Sequence, residues 1–191
     1  MKKYALIVAG GSGSRMQREI PKQFIRIGAY PILMHTLSRF YHSVPGIQIV
    51  LVLPASSFPH WDHLREEYAF DIPHQLVEGG GSRPESVRNG LRALSDEESL
   101  VAIHDGVRPF VSSEIILESF AVAMEKGSAI AAVALKDSLR EMVAGGSEAR
   151  DRAQYRLIQT PQTFKLQLIK QAYQREGLEN FTDDASIAEA S

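Results

Sequence analysis

The loop Gly10-Gly11-Ser12-Gly13-Ser14-Arg15-Met16 follows directly on the apolar run at residues 4–9. Glycines at such a place let the backbone approach a ligand closely and aim N–H groups at phosphate oxygens. A helix starting there would add its dipole. Two familiar phosphate motifs do not fit: the Walker pattern ends in Gly-Lys-Ser/Thr where this loop has Gly-Ser-Arg, and the dinucleotide fingerprint needs a glycine at position 16, which is Met. On its glycines alone the loop equally suits a plain turn. Arg15 and Lys22 sharpen the reading. They lie seven residues apart, and Pro21 stiffens the chain directly before Lys22. An Arg fork and a compact Lys charge beside a glycine loop make a polyphosphate clamp, useful where charge builds on a transferring phosphoryl group. Two solvated surface cations share that spacing.

Two more loops carry candidate chemistry. Gly79-Gly80-Gly81-Ser82-Arg83-Pro84-Glu85-Ser86 joins an apolar segment to an amphipathic one. Three glycines imply a close backbone approach, and Ser86 either bonds a base edge or phosphate or caps the helix. His104-Asp105-Gly106-Val107-Arg108-Pro109 follows the run at 100–103. A carboxylate there suits Mg²⁺, held through oxygen or water, and Arg108 suits a substrate anion; an Asp–Arg structural pair is the plain alternative. His104 is a base or, more simply, a structural histidine. His60 and His63 lack a third ligand for zinc, and there is no Cys to supply one. No Gly-x-Ser-x-Gly elbow is present, because Gly11-Ser12-Gly13-Ser14-Arg15 ends in Arg.

The elements that must position these loops follow from periodicity. Apolar runs at 4–9, 48–53, 75–78, 100–103 and 128–135 read as strands, several buried on both faces. Segments 31–40, 59–68, 84–94 and 114–126 read as helices, the last capped by Ser112 or Ser113 and closed by Gly127. Strand–loop–helix repeated about four times specifies an α/β sandwich with a mainly parallel sheet. Ligands in such sheets sit at the carboxyl ends of the strands, so the three loops converge on one edge. Residues 136–159 break the rhythm: a polar projecting arm is expected, its hairpin pairing 139–143 with 155–158 across Gly145-Gly146. A lone hairpin is marginal in water, so the arm is expected to pack on a partner subunit. Helices are expected at 165–175 and from 183 to 190.

With 191 residues, 44% hydrophobic and 23% charged, the chain reads as one soluble domain spanning 1–191. A net charge of −2, without aromatic interleaving of basic residues, argues against a nucleic-acid partner. No stretch nears the roughly 20 apolar residues of a membrane span, so a cytoplasmic protein without membrane contact is expected.

The combination of Ala9–Met16, Pro21-Lys22-Gln23, residues 79–87, residues 104–109, Thr160-Pro161-Gln162 and Thr182-Asp183-Asp184-Ala185-Ser186 resembles the sugar-phosphate cytidylyltransferases, in family order and across nearly the whole chain. The resemblance implies a Rossmann-like three-layer α/β fold, a protruding β-arm and a homodimer formed through that arm. It implies CMP transfer from CTP to a polyol phosphate with Mg²⁺. Residues 83–87 and 182–186 favour a methylerythritol phosphate acceptor over ribitol 5-phosphate. A non-catalytic nucleotide-binding module and a UTP or ATP enzyme are the other readings. By the same resemblance Arg15 and Lys22 are the catalytic cations. The nucleotide contacts are Ala9, Gly10, Gly11, Ser12, Gly13, Gly80, Arg83, Ser86, Asp105 and Gly106, with Asp105 also near the metal. Arg108, Ser138, Arg152 and Thr160 serve the sugar phosphate, Arg152 reaching into the neighbouring subunit. Ser138 replaces the family's usual Thr and keeps the hydroxyl. A last strand with a further lysine is expected beyond Ser191 and is missing from this sequence.

Overall fold

The structure is a computed structural model, and it describes residues 1–10, 20–96 and 98–191. Its centre is β1 (Lys3–Val8), whose side chains after Lys3 are all buried. An unbroken apolar run is what a strand covered on both faces requires. β1 is flanked by two parallel neighbours, β4 (Gln48–Leu53) with Ala5 opposite Ile49, and β6 (Leu100–Asp105) with Ala5 opposite Ala102. β5 (Gln75–Glu78) extends the sheet beyond β4. On the other side β10 (Arg156–Lys165) runs antiparallel between β6 and β7 (Ser128–Ala134). The sheet order is β5-β4-β1-β6-β10-β7.

Alternation along β1 sorts the core into two layers. Ala5, Ile7 and Ala9 face Leu33, Leu37 and Phe40 of α1 (Ile32–Ser43), Trp61 of α2 (Phe58–Glu67) and Phe120 of α4 (Ser113–Lys126). Tyr4, Leu6 and Val8 face Val87 and Leu91 of α3 (Arg83–Arg92), Leu166 and Ile169 of α5 (Leu166–Ala172), and Ile187 of α6 (Asp184–Glu189). Helices on both faces of a mostly parallel sheet are the expected three-layer α/β fold. α3 lies so close to the sheet that a Cβ on Gly90 would stand 2.3 Å from Leu6 Cδ1 and 2.9 Å from Val52 Cγ2. Ser112, not Ser113, caps α4 by accepting from the Ile115 N–H at 3.3 Å, and Gly127 closes it at φ +94°.

The arm differs from its expected pairing. β8 (Leu139–Val143) pairs with β9 (Gly146–Arg150), Val143 opposite Gly146, and Gly145 turns the chain at φ +86°. Residues 156–158 instead join β7, Arg156 lying opposite Ala134. β10 was hidden because proline inside a run argues against an interior strand. Here Pro161 falls where the register with β7 slips, between Ile158 and Gln162, a place where a proline does not cost a ladder bond. That strand occupies the first residue of the expected 165–175 helix, which shortens to α5.

A short structure between β1 and α1 sets Lys22. Pro21 leads into a 3₁₀ turn at Lys22–Phe24, followed by a small hairpin of β2 (Arg26–Ile27) and β3 (Tyr30–Pro31). Gln23 and Phe24 are both buried, and Phe24 stacks on Trp61 and meets the His60 ring edge-on. Gln23 Nε2 donates to the Ala9 carbonyl at 3.0 Å. Lys22 thus stands exposed on a turn bolted down by its two successors. No helix among the described residues is long and apolar enough to cross a membrane.

Candidate active site

Two cavities open side by side, the first at the carboxyl ends of β1, β5 and β6. The first, about 470 Å³, is walled by Ala9 and Gly10 after β1, by Gly80, Arg83 and Ser86 around the start of α3, and by Asp105 at the end of β6. The second, about 840 Å³, has Arg108, Gln159 and Thr160 at its polar end and apolar side chains of α4 and β7 beyond. Lys22 and Val107 line both.

The start of α3 is built tightly. Ser82 is its N-cap, accepting from the Glu85 N–H at 3.2 Å, and Glu85 Oε2 in turn accepts from the Gly81 N–H at 2.7 Å. This is a capping box with its reach displaced by one residue. Ser86 Oγ accepts from the Gly80 N–H at 3.0 Å and donates to the Ser82 carbonyl at 2.9 Å. The cap is thus Ser82 and not Ser86; Ser86 lines the cleft and ties Gly80 to the first turn of the helix. A Cβ at Gly80 would overlap Glu85 Cγ at 2.2 Å, so the loop needs a glycine to pass so close to the helix.

Asp105 sits between two guanidinium groups. Arg83 Nε donates to its Oδ1 at 3.3 Å and Arg108 Nε to its Oδ2 at 2.8 Å. Burial works to raise the Asp105 pKa, but Arg83 and Arg108 outweigh it and hold the group below the ordinary aspartate value. Arg108 also donates to Gln159 Oε1 at 2.5 Å, and Thr160 Oγ1 accepts from the Asp105 N–H at 3.3 Å. Arg83 is held from behind by Asp184, through Nη1 at 3.0 Å and Nη2 at 2.8 Å. Gly106 lies behind the cleft wall, its N–H donating to the Val8 carbonyl at 2.8 Å and its own carbonyl accepting from Thr36 Oγ1 at 2.9 Å.

The remaining sequence candidates fall elsewhere. Gly11, Ser12, Gly13 and Arg15 lie outside the described residues. Ser138 and Arg152 are exposed in or beside the arm and line neither cavity; the Arg152 guanidinium donates to the Lys136 carbonyl. The partner residues Asp184, Gln159 and Gln23 carried no site role in the sequence reading. None has a local signal, because each is defined by a contact with a distant segment.

His104 is structural. It is fully buried against the Phe40 ring, its Nε2 donates to the Arg108 carbonyl at 3.0 Å, and its Nδ1 meets no partner. Burial, partly offset by that carbonyl, lowers its pKa from 6.5 to about 4. The unfolded chain therefore binds a proton that the fold refuses between pH 6.5 and about 4. Stability from this group is complete above pH 6.5 and is lost as pH falls towards 4, by about 3 kcal/mol at the end of that window. His74 works in the same direction: it takes the Trp61 indole N–H on Nε2 at 3.0 Å, and desolvation lowers its pKa. The thermal midpoint should fall steadily from pH 7 to pH 4.5, above the range where Asp105 titrates. A flat midpoint across that interval contradicts both assignments.

The 2-C-methyl-D-erythritol 4-phosphate cytidylyltransferase family model matches residues 4–191. The chain belongs to that family. A family member of that name from Phocaeicola vulgatus is 45% identical over 190 residues, covering 100% of this chain and 86% of its own. One from Bacteroides fragilis is 47% identical over the same length and coverage. Among solved structures, 4-diphosphocytidyl-2C-methyl-D-erythritol synthase from Anaerococcus prevotii superposes with a TM-score of 0.83 at 30% identity, covering 99% of this chain and 82% of that one. The family fold is the Rossmann-like α/β sandwich described above.

Proposed function

We propose that the chain transfers CMP from CTP to 2-C-methyl-D-erythritol 4-phosphate, releasing pyrophosphate, as its family relatives are named for. The observation that carries this reading is the placing of Lys22 on the shared wall of the two cavities, with the α3 loop and Asp105 on one side and Arg108 and Thr160 on the other. That is where a cation is needed when two anionic reactants meet. The acceptor phosphate oxygen attacks the α-phosphorus of CTP in line; the bond from that phosphorus to the β-phosphate oxygen breaks, and pyrophosphate leaves with the electron pair. The attacking oxygen is already ionised at neutral pH, so no side chain need remove a proton. Lys22, with Arg15 as its expected companion, takes up charge on the equatorial oxygens. Arg108 and Thr160 orient the acceptor phosphate, and holding both reactants in line supplies much of the rate. Ser86 and the Gly80 loop wall the part of the cleft proposed to take the base.

Mg²⁺ fits this site as an ion carried in on the triphosphate. Among the described residues no cluster of three or more His, Cys, Asp or Glu could hold a metal, and the carboxylate that lines the cleft is Asp105, whose oxygens also accept from Arg83 and Arg108. An ion that keeps several waters and binds one carboxylate plus substrate phosphates matches that supply, and it would neutralise triphosphate charge.

The arm supports a homodimer. Its two strands pair with each other, and it exposes Met142 at 80%, with Val133 and Leu157 exposed on the adjoining strands. Arg152, away from its own chain's cavities, is proposed to serve the partner's acceptor site. The test of the function is pyrophosphate release from CTP, Mg²⁺ and the methylerythritol phosphate, with ribitol 5-phosphate as comparison. Turnover at least tenfold faster with methylerythritol phosphate is expected; no pyrophosphate from either acceptor refutes the reading.

A further inference from the structure

Asp184 touches neither cavity, yet its carboxylate is fully buried and completely engaged. Arg83 grips it with both terminal nitrogens, at 3.0 and 2.8 Å, and the Tyr173 hydroxyl donates to Oδ1 at 2.5 Å. The segment carrying it is pinned in turn. Asp183 caps α6 by accepting from the Ser186 N–H at 2.8 Å, and the Ala185 N–H donates to Gln162 Oε1, also at 2.8 Å, on β10. Arg83 is thereby held on one edge by Asp184 and at Nε by Asp105, so a long, rotamer-rich side chain is fixed before any ligand arrives.

Stability alone does not explain this arrangement. A buried ion pair is on balance no more stabilising than apolar groups of the same volume, because two charges must first leave water. What the pair does supply is direction: two parallel N–H···O bonds leave a planar fork one orientation. We infer that Asp184, supported by Tyr173, is a positioning residue that presets the Arg83 guanidinium at the wall of the nucleotide cleft, acting through Arg83 without touching substrate. The inference rests on the reading of that cleft as the CTP site.

The test measures CTP binding by calorimetry with Mg²⁺ present and acceptor absent, together with KM for each substrate. Asp184→Asn keeps the shape and removes the charge. It should raise the Kd and KM for CTP at least tenfold while KM for the acceptor stays within twofold. Arg83→Lys should weaken CTP binding on its own and add little in the Asp184→Asn background. A folded Asp184→Asn protein with wild-type CTP affinity, or strictly additive effects of the two changes, overturns the inference. A purely structural role would lower the thermal midpoint and leave the CTP Kd of the folded protein unmoved. If Asp184→Asn does not fold, Tyr173→Phe decides, since it removes one hydrogen bond and no charge: a threefold or greater rise in CTP Kd supports positioning, and an unchanged Kd refutes it. Wild-type protein that binds no CTP brings down the reading of the cleft itself, a result distinct from a variant that binds as tightly as wild type.

Discussion

Lys22→Ala should cut kcat by about a thousandfold while leaving the fold intact. Removing one preorganised donor from a developing oxyanion costs 10²–10³ in rate, and a full cation on a transferring phosphoryl group about 10³–10⁵. The exposed Lys22 side chain makes no hydrogen bond or ion pair within the protein among the described contacts, whereas its neighbours Gln23 and Phe24 anchor the turn. Deleting its ammonium therefore removes charge from the wall between the cavities and almost nothing from the core. Turnover should collapse with the thermal midpoint within a degree or two of wild type. Because the charge is needed most when the reactants join, kcat should fall further than either KM rises. An alanine variant with wild-type kcat would mean that another group neutralises the reacting phosphate.

Arg83→Met should be the most destabilising single change at the cleft. Methionine keeps an apolar stem and deletes the fork. Asp184 is then a carboxylate at 0% exposure with, among the described residues, the Tyr173 hydroxyl as its one remaining side-chain donor. Breaking a buried pair by removing one partner costs about 3–5 kcal/mol, and for a domain of this size the midpoint should fall on the order of 10 °C. Arg108→Met makes the contrast. Its side chain is 45% exposed and pairs with the partly exposed Asp105, so it should cost little stability and act on acceptor KM. Denaturant midpoints of the two variants side by side check the pair; equal losses would contradict the burial difference on which the expectation depends.

The layout of the candidate-site edge was legible because it depends on local rules. Short apolar runs broken by glycine give parallel strands, and each strand end hands its loop to the same side. Hence Gly10, Gly80 and Asp105 could be brought together from spacing alone, and the Ser112 cap and Gly127 stop of α4 read directly from residue type. What was illegible depends on pairing between distant segments. β10 carries Pro161 inside a sheet, tolerated only because the register with β7 slips there, which no local pattern announces. The Gly-Ser-Glu-Ala-Arg sequence of β9 has no apolar alternation to advertise a strand, so the arm's pairing was assigned to the more apolar residues after it. Asp184 reads in sequence as one of two consecutive aspartates at a helix start; nothing local separates the capping residue Asp183 from its fully buried neighbour.

The clasp between Arg83 and Asp184 closes a separation of 101 residues. A ribosome adding about 5–20 residues per second would release the arginine roughly 5–20 s before its acceptor exists. Leu166, Ile169 and Ile187, which complete the layer beneath α3, also emerge late. The nascent polypeptide can thus assemble β1, β4 and β6 early, but the Arg83 side of the cleft is completed only when translation nears the α6 segment.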